Sequence, residues 1–249
     1  MIYIRNSREI ELLRNSASIV AEALNKIGPR IKPGISTEEL DKETEEFILS
    51  KGGRPAFKGF HGFPASTCIS INDEVVHGIP GSRKLQSGDI VSIDIGVQLN
   101  GYYGDAAKTF AVDEVSEDKK RLMKITQESL YFGIDAAQEG HRLSDISHAI
   151  QTYVEAAGFS VVRELVGHGI GKEMHEEPQI PNYGEPNQGP RLKAGMVFAI
   201  EPMVNMGSYE VKTLSDNWTV VTSDGLPSAH FEHDIVINGN KAEILSKEI

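Results

Sequence analysis

Asp94 and Asp105 sit in two apolar runs joined by Asn100-Gly101, the first reading Gly88-Asp89-Ile90-Val91-Ser92-Ile93-Asp94-Ile95. Asn-Gly between such runs signals a two-residue hairpin. That loop fixes the register so that residue i faces residue 201 minus i, which puts Asp94 opposite Ala107. Asp105 then points to the same face, and the two carboxylates are diagonal neighbours with Cβ atoms about 7 Å apart or somewhat less. Two acids in that relation suit a shared cation.

The arrangement recurs downstream. Leu85-Gln86-Ser87-Gly88-Asp89-Ile90-Val91-Ser92-Ile93-Asp94 aligns without a gap on Leu192-Lys193-Ala194-Gly195-Met196-Val197-Phe198-Ala199-Ile200-Glu201, so Asp94 falls on Glu201. Val76-His77-Gly78-Ile79-Pro80 falls on Gly167-His168-Gly169-Ile170-Gly171, pairing His77 with His168. Gly34 to Gly52, with Leu40 and Phe47 between them, matches Gly140 to Gly158 with Ile146 and Tyr153. The chain reads as a diverged duplication with halves of roughly 1–115 and 116–249, joined in one domain over 1–249.

Glu232, within Ala229-His230-Phe231-Glu232-His233-Asp234, is the second acid of the second half. Asp94, Asp105, Glu201 and Glu232 would repel one another in a core unless cations were present. Two divalent ions balance four carboxylates. With one imidazole the set suits manganese, iron(II), cobalt or zinc. Two such ions about 3.5–4 Å apart share a water, lower its pKa toward about 7, and so imply hydrolysis by a hydroxide. His168, flanked by glycines, supplies the imidazole; His77 lies across the site, and His175 is available to a substrate oxygen.

Elements that position these groups follow from periodicity. A helix opens at Ser7 with a stripe of Ile10, Leu13, Ala17, Val20 and Leu24, and stops at Gly28-Pro29. A second helix has Ser36 and Glu39 as a capping box and ends at Gly52-Gly53. Further helices are expected over Asp118 to Gln138 and Leu143 to Ala157, with strands near Cys68 to Ile71, Val161 to Val166, Met196 to Val204, Trp218 to Thr222 and Phe231 to Ile237. Helices followed by antiparallel strands, twice over, mean an α+β fold.

Composition narrows the function. A net charge of −11 disfavours nucleic-acid and anionic-membrane partners. The single cysteine, Cys68, excludes an intramolecular disulfide and every Cys-rich zinc motif. No stretch approaches a membrane span and no leader is evident, which points to a cytoplasmic protein; no repeat or heptad suggests self-association, and a monomer is expected. His175-Glu176-Glu177-Pro178 is not the two-histidine helix motif of zinc proteases, since no second His follows at the right spacing and Pro178 opposes a helix.

Taken together, Asp94 with Asp105, Gly167-His168-Gly169-Ile170-Gly171, His175-Glu176-Glu177-Pro178, Ile200-Glu201-Pro202 and Phe231-Glu232-His233 resemble type I methionine aminopeptidases in their compact bacterial form. Each motif is short, but five in this order and spacing are specific, and they cover nearly the whole chain. The resemblance implies the pita-bread fold: pseudo-twofold halves, antiparallel sheet flanked by helices. It implies that Asp94, Asp105, His168, Glu201 and Glu232 bind two divalent metals, with Asp105 and Glu232 bridging. His77 and His175 would contact substrate and stabilise the tetrahedral intermediate, and Glu201 would also handle the proton. The reaction implied is removal of the initiator methionine from nascent polypeptides near the ribosome when the second residue is small.

By position, Phe57, Phe60, Phe63, Cys68, Met174 and Trp218 resemble the walls of the methionine side-chain pocket. Tyrosines or another cysteine are frequent in the family where Phe57, Phe60 and Phe63 stand, so a drier pocket is expected. Two other readings compete: a proline-directed peptidase of the same fold, which the compact length disfavours, and an inactive relative that binds peptides or ribosomes, which the intact ligand set disfavours.

Overall fold

The computed structural model describes residues 1–247. The first half contains α1 (Ser7–Ile27), α2 (Thr37–Ser50), and strands β1 (Arg54–Pro55), β2 (Thr67–Ile71), β3 (Glu74–Val76), β4 (Ile90–Leu99) and β5 (Tyr102–Ala111). The second begins with α3 (Glu117–Ala136) and α4 (Leu143–Ala156). Its strands are β6 (Ser160–Val161), β7 (Gly167–Gly169), β8 (Glu176–Ile180), β9 (Val197–Ile200), β10 (Met203–Asn205), β11 (Val211–Thr213), β12 (Val220–Thr222), β13 (Ser228–His230), β14 (His233–Asn238) and β15 (Lys241–Ile244). Among the described residues every strand pairing is antiparallel.

Alternation along β4 divides its two jobs. Val91, Ile93, Ile95 and Val97 pack with Val20, Leu24 and Ile27 of α1 and with Leu40 and Ile48 of α2. The intervening Ser92, Asp94 and Gly96 therefore face the other way. Both first-half helices start on capping boxes, Asn6 with Glu9 and Ser36 with Glu39, which satisfy amide groups that the first turn leaves free. In the second half Leu122, Leu130 and Ile134 of α3 and Ile146 and Ile150 of α4 pack on Phe198, Ile200 and Ile235.

The duplication is visible in backbone hydrogen bonds. Gly34 N donates to Leu85 O at 2.8 Å and Leu85 N to Ile35 O at 2.9 Å; Gly140 N donates to Leu192 O at 2.9 Å and Leu192 N to His141 O at 2.8 Å. In each half the central strand, β4 or β9, lies between a preceding strand, β2 or β7, and a following one, β5 or β14. The His77/His168 match does not carry over to the sheets. His168 is on β7, beside its central strand, whereas His77 lies past β3, with Gly78 O accepting from Ile69 N of β2 at 2.9 Å.

Two long strands expected in the second half are interrupted. The run from Met196 to Val204 breaks at Glu201-Pro202 and that from Phe231 to Ile237 begins only at His233, so that β9 and β14 join a five-stranded sheet while β10 and β13 join a three-stranded one. Pro202 lacks the N–H a ladder needs. Register survives the break: Ile200 faces His233 and Met203 faces His230, which leaves Glu201 opposite Glu232. Only Val161 of the expected Val161 to Val166 strand is in a strand, β6.

Gly104 sets how closely α1 approaches β5. A Cβ there would lie 2.4 Å from Ala17 N, 2.6 Å from Ser16 C and 2.7 Å from Ala17 Cα, all helix backbone that cannot rotate away. Gly104→Ala is expected to cost about 2–3 kcal/mol in urea unfolding, while Gly81→Ala, whose Cβ meets nothing within 4 Å, stays within about 1 kcal/mol of the parent. Equal stability of the two variants would refute this packing account.

Candidate metal centre and substrate pocket

The hairpin has the register read from its turn: Asp94 pairs with Ala107 and Asp105 with Gly96. Asp94 and Asp105 lie close enough that, after burial, the charge of Asp94 pushes the Asp105 carboxyl up. The second half reaches the same place along a seam against β5. Asp105 N donates to Asp234 Oδ2 at 2.7 Å and Glu232 N to Ala107 O at 2.9 Å. His230 N donates to Thr109 Oγ1 at 2.9 Å, and the same hydroxyl donates to His230 O at 2.8 Å. The three contacts step by two residues along each chain, so Asp105, Ala107 and Thr109 run antiparallel to Asp234, Glu232 and His230.

His168 is seated where backbone crowds it. A Cβ on Gly167 would lie 2.5 Å from Ala199 O and one on Gly169 2.3 Å from Glu177 O, so neither flank accepts a side chain. His168 Nδ1 lies 3.0 Å from Gly169 O, which assigns it the proton and turns the Nε2 lone pair toward the acids. Nε2 is 3.5 Å from Glu201 Oε1. Ligand atoms of Asp105, His168 and Glu232 all lie within 4.8 Å of one another. Glu201 is anchored by Asn182 Nδ2, which donates to its carbonyl at 3.0 Å.

Electrostatics here are those of a site built for cations. Burial first, and then the charges of the other carboxylates, push Asp105, Glu201 and Glu232 well above the ordinary carboxylate range. Burial pushes Asp94 up to about 7 and His168 down to about 3. Asp94 Oδ1, Asp105 Oδ1 and Glu232 Oε1 are buried without a hydrogen-bond partner. Buried oxygens are rarely left so. Oxygen-rich donors, a neutral imidazole and orphaned acceptors fit divalent cations.

A cavity of about 620 Å³ opens beside the acids. Phe57, Phe63, Cys68 and Met174 form a buried cluster with Phe60 and Trp218 against it; five of the six line the cavity, and Met174 packs behind them. Phe63 meets Trp218 edge-on with centroids 5.1 Å apart. Cys68 pairs with Asp94 across β2 and β4; burial, then that carboxylate, pushes its thiol up, which removes it as a nucleophile and leaves it a wall. His175 stands edge-on to His168 at 4.4 Å and to Phe60 at 5.3 Å, and His77 faces Trp218 at 6.3 Å. Burial pushes both imidazoles down, which favours their neutral forms.

All residues read from the sequence as ligands, substrate contacts or pocket walls thus meet in one place. Two more join them that the sequence reading left without a role, His230 and Asp234, both about 1% exposed. Burial pushes His230 down to about 3 and Asp234 well up, the Asp105 amide opposing. The available signal was the spacing of His230, Glu232 and Asp234, which in a strand puts all three on one face.

Comparison with known proteins agrees with this geometry. Residues 11–239 match the family described as metallopeptidase family M24. The chain is 57% identical over 246 residues to the methionine aminopeptidase of Clostridium perfringens, covering 99% of each chain. It is 58% identical over 247 residues to methionine aminopeptidase 1 of Bacillus subtilis, covering 99% of this chain and 100% of the relative. The crystal structure of methionine aminopeptidase from Thermotoga maritima superposes with a TM-score of 0.98 at 47% identity over 100% of both chains. A prolidase from Pyrococcus furiosus, with a TM-score of 0.81 at 24% identity over 98% of this chain and 65% of its own, shares the fold alone. By profile, whole-length identity and architecture, the chain belongs to metallopeptidase family M24 and, within it, to the methionine aminopeptidases.

Proposed function

We propose that the chain, acting as a single catalytic domain over residues 1–249, removes N-terminal methionine from nascent polypeptides whose second residue is small, using two divalent cations. The observation that carries this reading is the convergence of Asp94, Asp105, Glu201 and Glu232 from both halves beside His168, at the mouth of an apolar cavity. Asp94, Asp105, His168, Glu201 and Glu232 would hold the ions. Bound there, the ions would supply Lewis acidity, the chemistry that activates a water and polarises a peptide carbonyl. Manganese, iron(II), cobalt and zinc all suit the donors.

The protein's own groups do the rest. Phe57, Phe60, Phe63, Cys68, Met174 and Trp218 take the methionine side chain, whose polarisable thioether favours aromatic surfaces. Phenylalanine at 57, 60 and 63 offers no hydroxyl, which keeps that end dry and selective for an apolar side chain. Neutral His77 and His175 donate to the carbonyl oxygen as it gains negative charge. Glu201 takes a proton from the attacking water and passes it to the leaving amine nitrogen. Among the described residues no helix is long and apolar enough to cross a membrane, which fits a peptide substrate met in water.

Cation removal gives a test with a defined sign. In the metal-free protein the acids have folded pKa values above their unfolded ones, so the stability they contribute is fully present below about pH 4. For Asp94 it is lost as pH rises through about 7. The thermal midpoint of chelator-stripped protein should therefore fall between about pH 4 and 7, and added manganese should raise it most at the upper end. A midpoint that manganese leaves unmoved at pH 7.5 would contradict the ligand set.

Activity is tested with Met-Ala-Ser and Met-Leu-Ser peptides, stripped protein, and manganese, cobalt, iron(II) or zinc added back. Metal-dependent release of methionine from the Ala peptide, at least about 100-fold slower in Asp105→Ala, and little release from the Leu peptide are expected. Cleavage of X-Pro peptides instead would favour a prolidase-like activity; no cleavage with any metal would favour a binding role.

A further inference from the structure

His230 has no part in the chemistry above, yet it is built into the site. Its Nε2 is buried and has no hydrogen-bond partner. Its backbone is clamped to Thr109 from both sides, and Thr109 Oγ1 is in turn 2.8 Å from Ser92 Oγ. The ring is thus held by the first-half hairpin and directed into the second-half acids.

Nε2 lies 3.8 Å from Glu201 Oε2 and 3.8 Å from Glu232 Oε2. The other Glu201 oxygen faces His168 Nε2 at 3.5 Å. Glu201, the group assigned to carry the proton, is therefore bracketed by two imidazoles of opposite character. His168 turns a lone pair inward because its proton is spent on Gly169 O. At His230 Nε2 the neighbours are two carboxylate oxygens at 3.8 Å, which would repel a lone pair and attract an N–H, so the proton is assigned to Nε2.

Glu201, His230 and Glu232 are also close enough to hold an ion, within 4.8 Å of one another. Charge speaks against it: both glutamates are already committed on the His168 side, and two divalent ions already balance the four acids. A donor is the better use of the ring. We infer that His230 is a positioning residue whose Nε2–H, directed between Glu201 Oε2 and Glu232 Oε2, holds the Glu201 carboxylate in the orientation that accepts the proton of the attacking water. This rests on the proposed role of Glu201.

The test compares manganese-loaded parent protein with His230→Leu, His230→Gln, Glu201→Gln and the His230→Leu/Glu201→Gln pair, on Met-Ala-Ser, with metal content and thermal midpoint measured for each. His230→Leu should lower kcat by about 10–100-fold with KM within about twofold, the pattern of a group that matters only in the transition state. His230→Gln, whose amide N–H reaches about as far as Nε2–H, should recover most of the loss. Metal content should stay at the parent value in both. In the Glu201→Gln background, His230→Leu should cost nothing further.

Loss of metal in His230→Leu would make the residue a ligand and overturn the inference, as would Gln failing to rescue or the two losses adding. Parental kcat in His230→Leu beside an impaired Glu201→Gln would overturn this inference alone. Parental activity in Glu201→Gln would overturn the reading beneath it. If Glu201→Gln is too slow to assay, rescue by Gln and the metal content decide the question.

Discussion

Negative charge buried at the seam between the two halves constrains everything around it. Asp94, Asp105, Glu201 and Glu232 are buried or nearly so, and Asp234 adds a fifth carboxylate behind Asp105. The imidazoles beside Glu201 and Glu232 are held neutral by burial and offer no compensating charge. A fold that gathers these groups gives up stability unless cations are part of its working state. Apolar sheets and helices on both sides supply that cost: β4 turns one face to α1 and α2 and the other to the acids, and β9 and β14 rest on α3 and α4.

Duplication explains how one chain delivers acids from two directions. Each half carries an acid at corresponding positions, Asp94 within β4 and Glu201 just past β9, and a second acid, Asp105 within β5 and Glu232 just before β14. The halves are not copies in detail. In the first, the two acids are offset by two residues along an intact hairpin; in the second, Glu201 and Glu232 face each other at a break where the strands change sheets. Side chains replace backbone partners along the seam, Asp234 for Asp105 and Thr109 for His230, so residues near the gathered acids also weld the halves together.

Much of this was legible in the sequence, for reasons that differ by element. The Asn100-Gly101 turn fixed the register of β4 and β5 because a two-residue loop admits one pairing, and Ser36 with Glu39 marked a helix start through reciprocal capping. The gathering of the acids was legible because carboxylates in β-branched runs need a partner. The breaks at Glu201-Pro202 and Phe231-Glu232 were not, since alternation continues across them and only sheet exchange reveals them. Nor was the seam: Thr109 and Asp234 look like ordinary strand residues until a tertiary partner is known. The His77/His168 match put His77 across the site, where it stands, but not on the corresponding strand, because an ungapped match ignores which strand neighbours the central one.

Anomalous diffraction from crystals of the manganese-loaded protein tests the central claim most directly. Two manganese peaks enclosed by Asp94, Asp105, His168, Glu201 and Glu232 are predicted. A map with no peak among these side chains, or with a single peak that leaves Asp94 uncoordinated at saturating manganese, would contradict a seam whose buried charge is balanced by two cations.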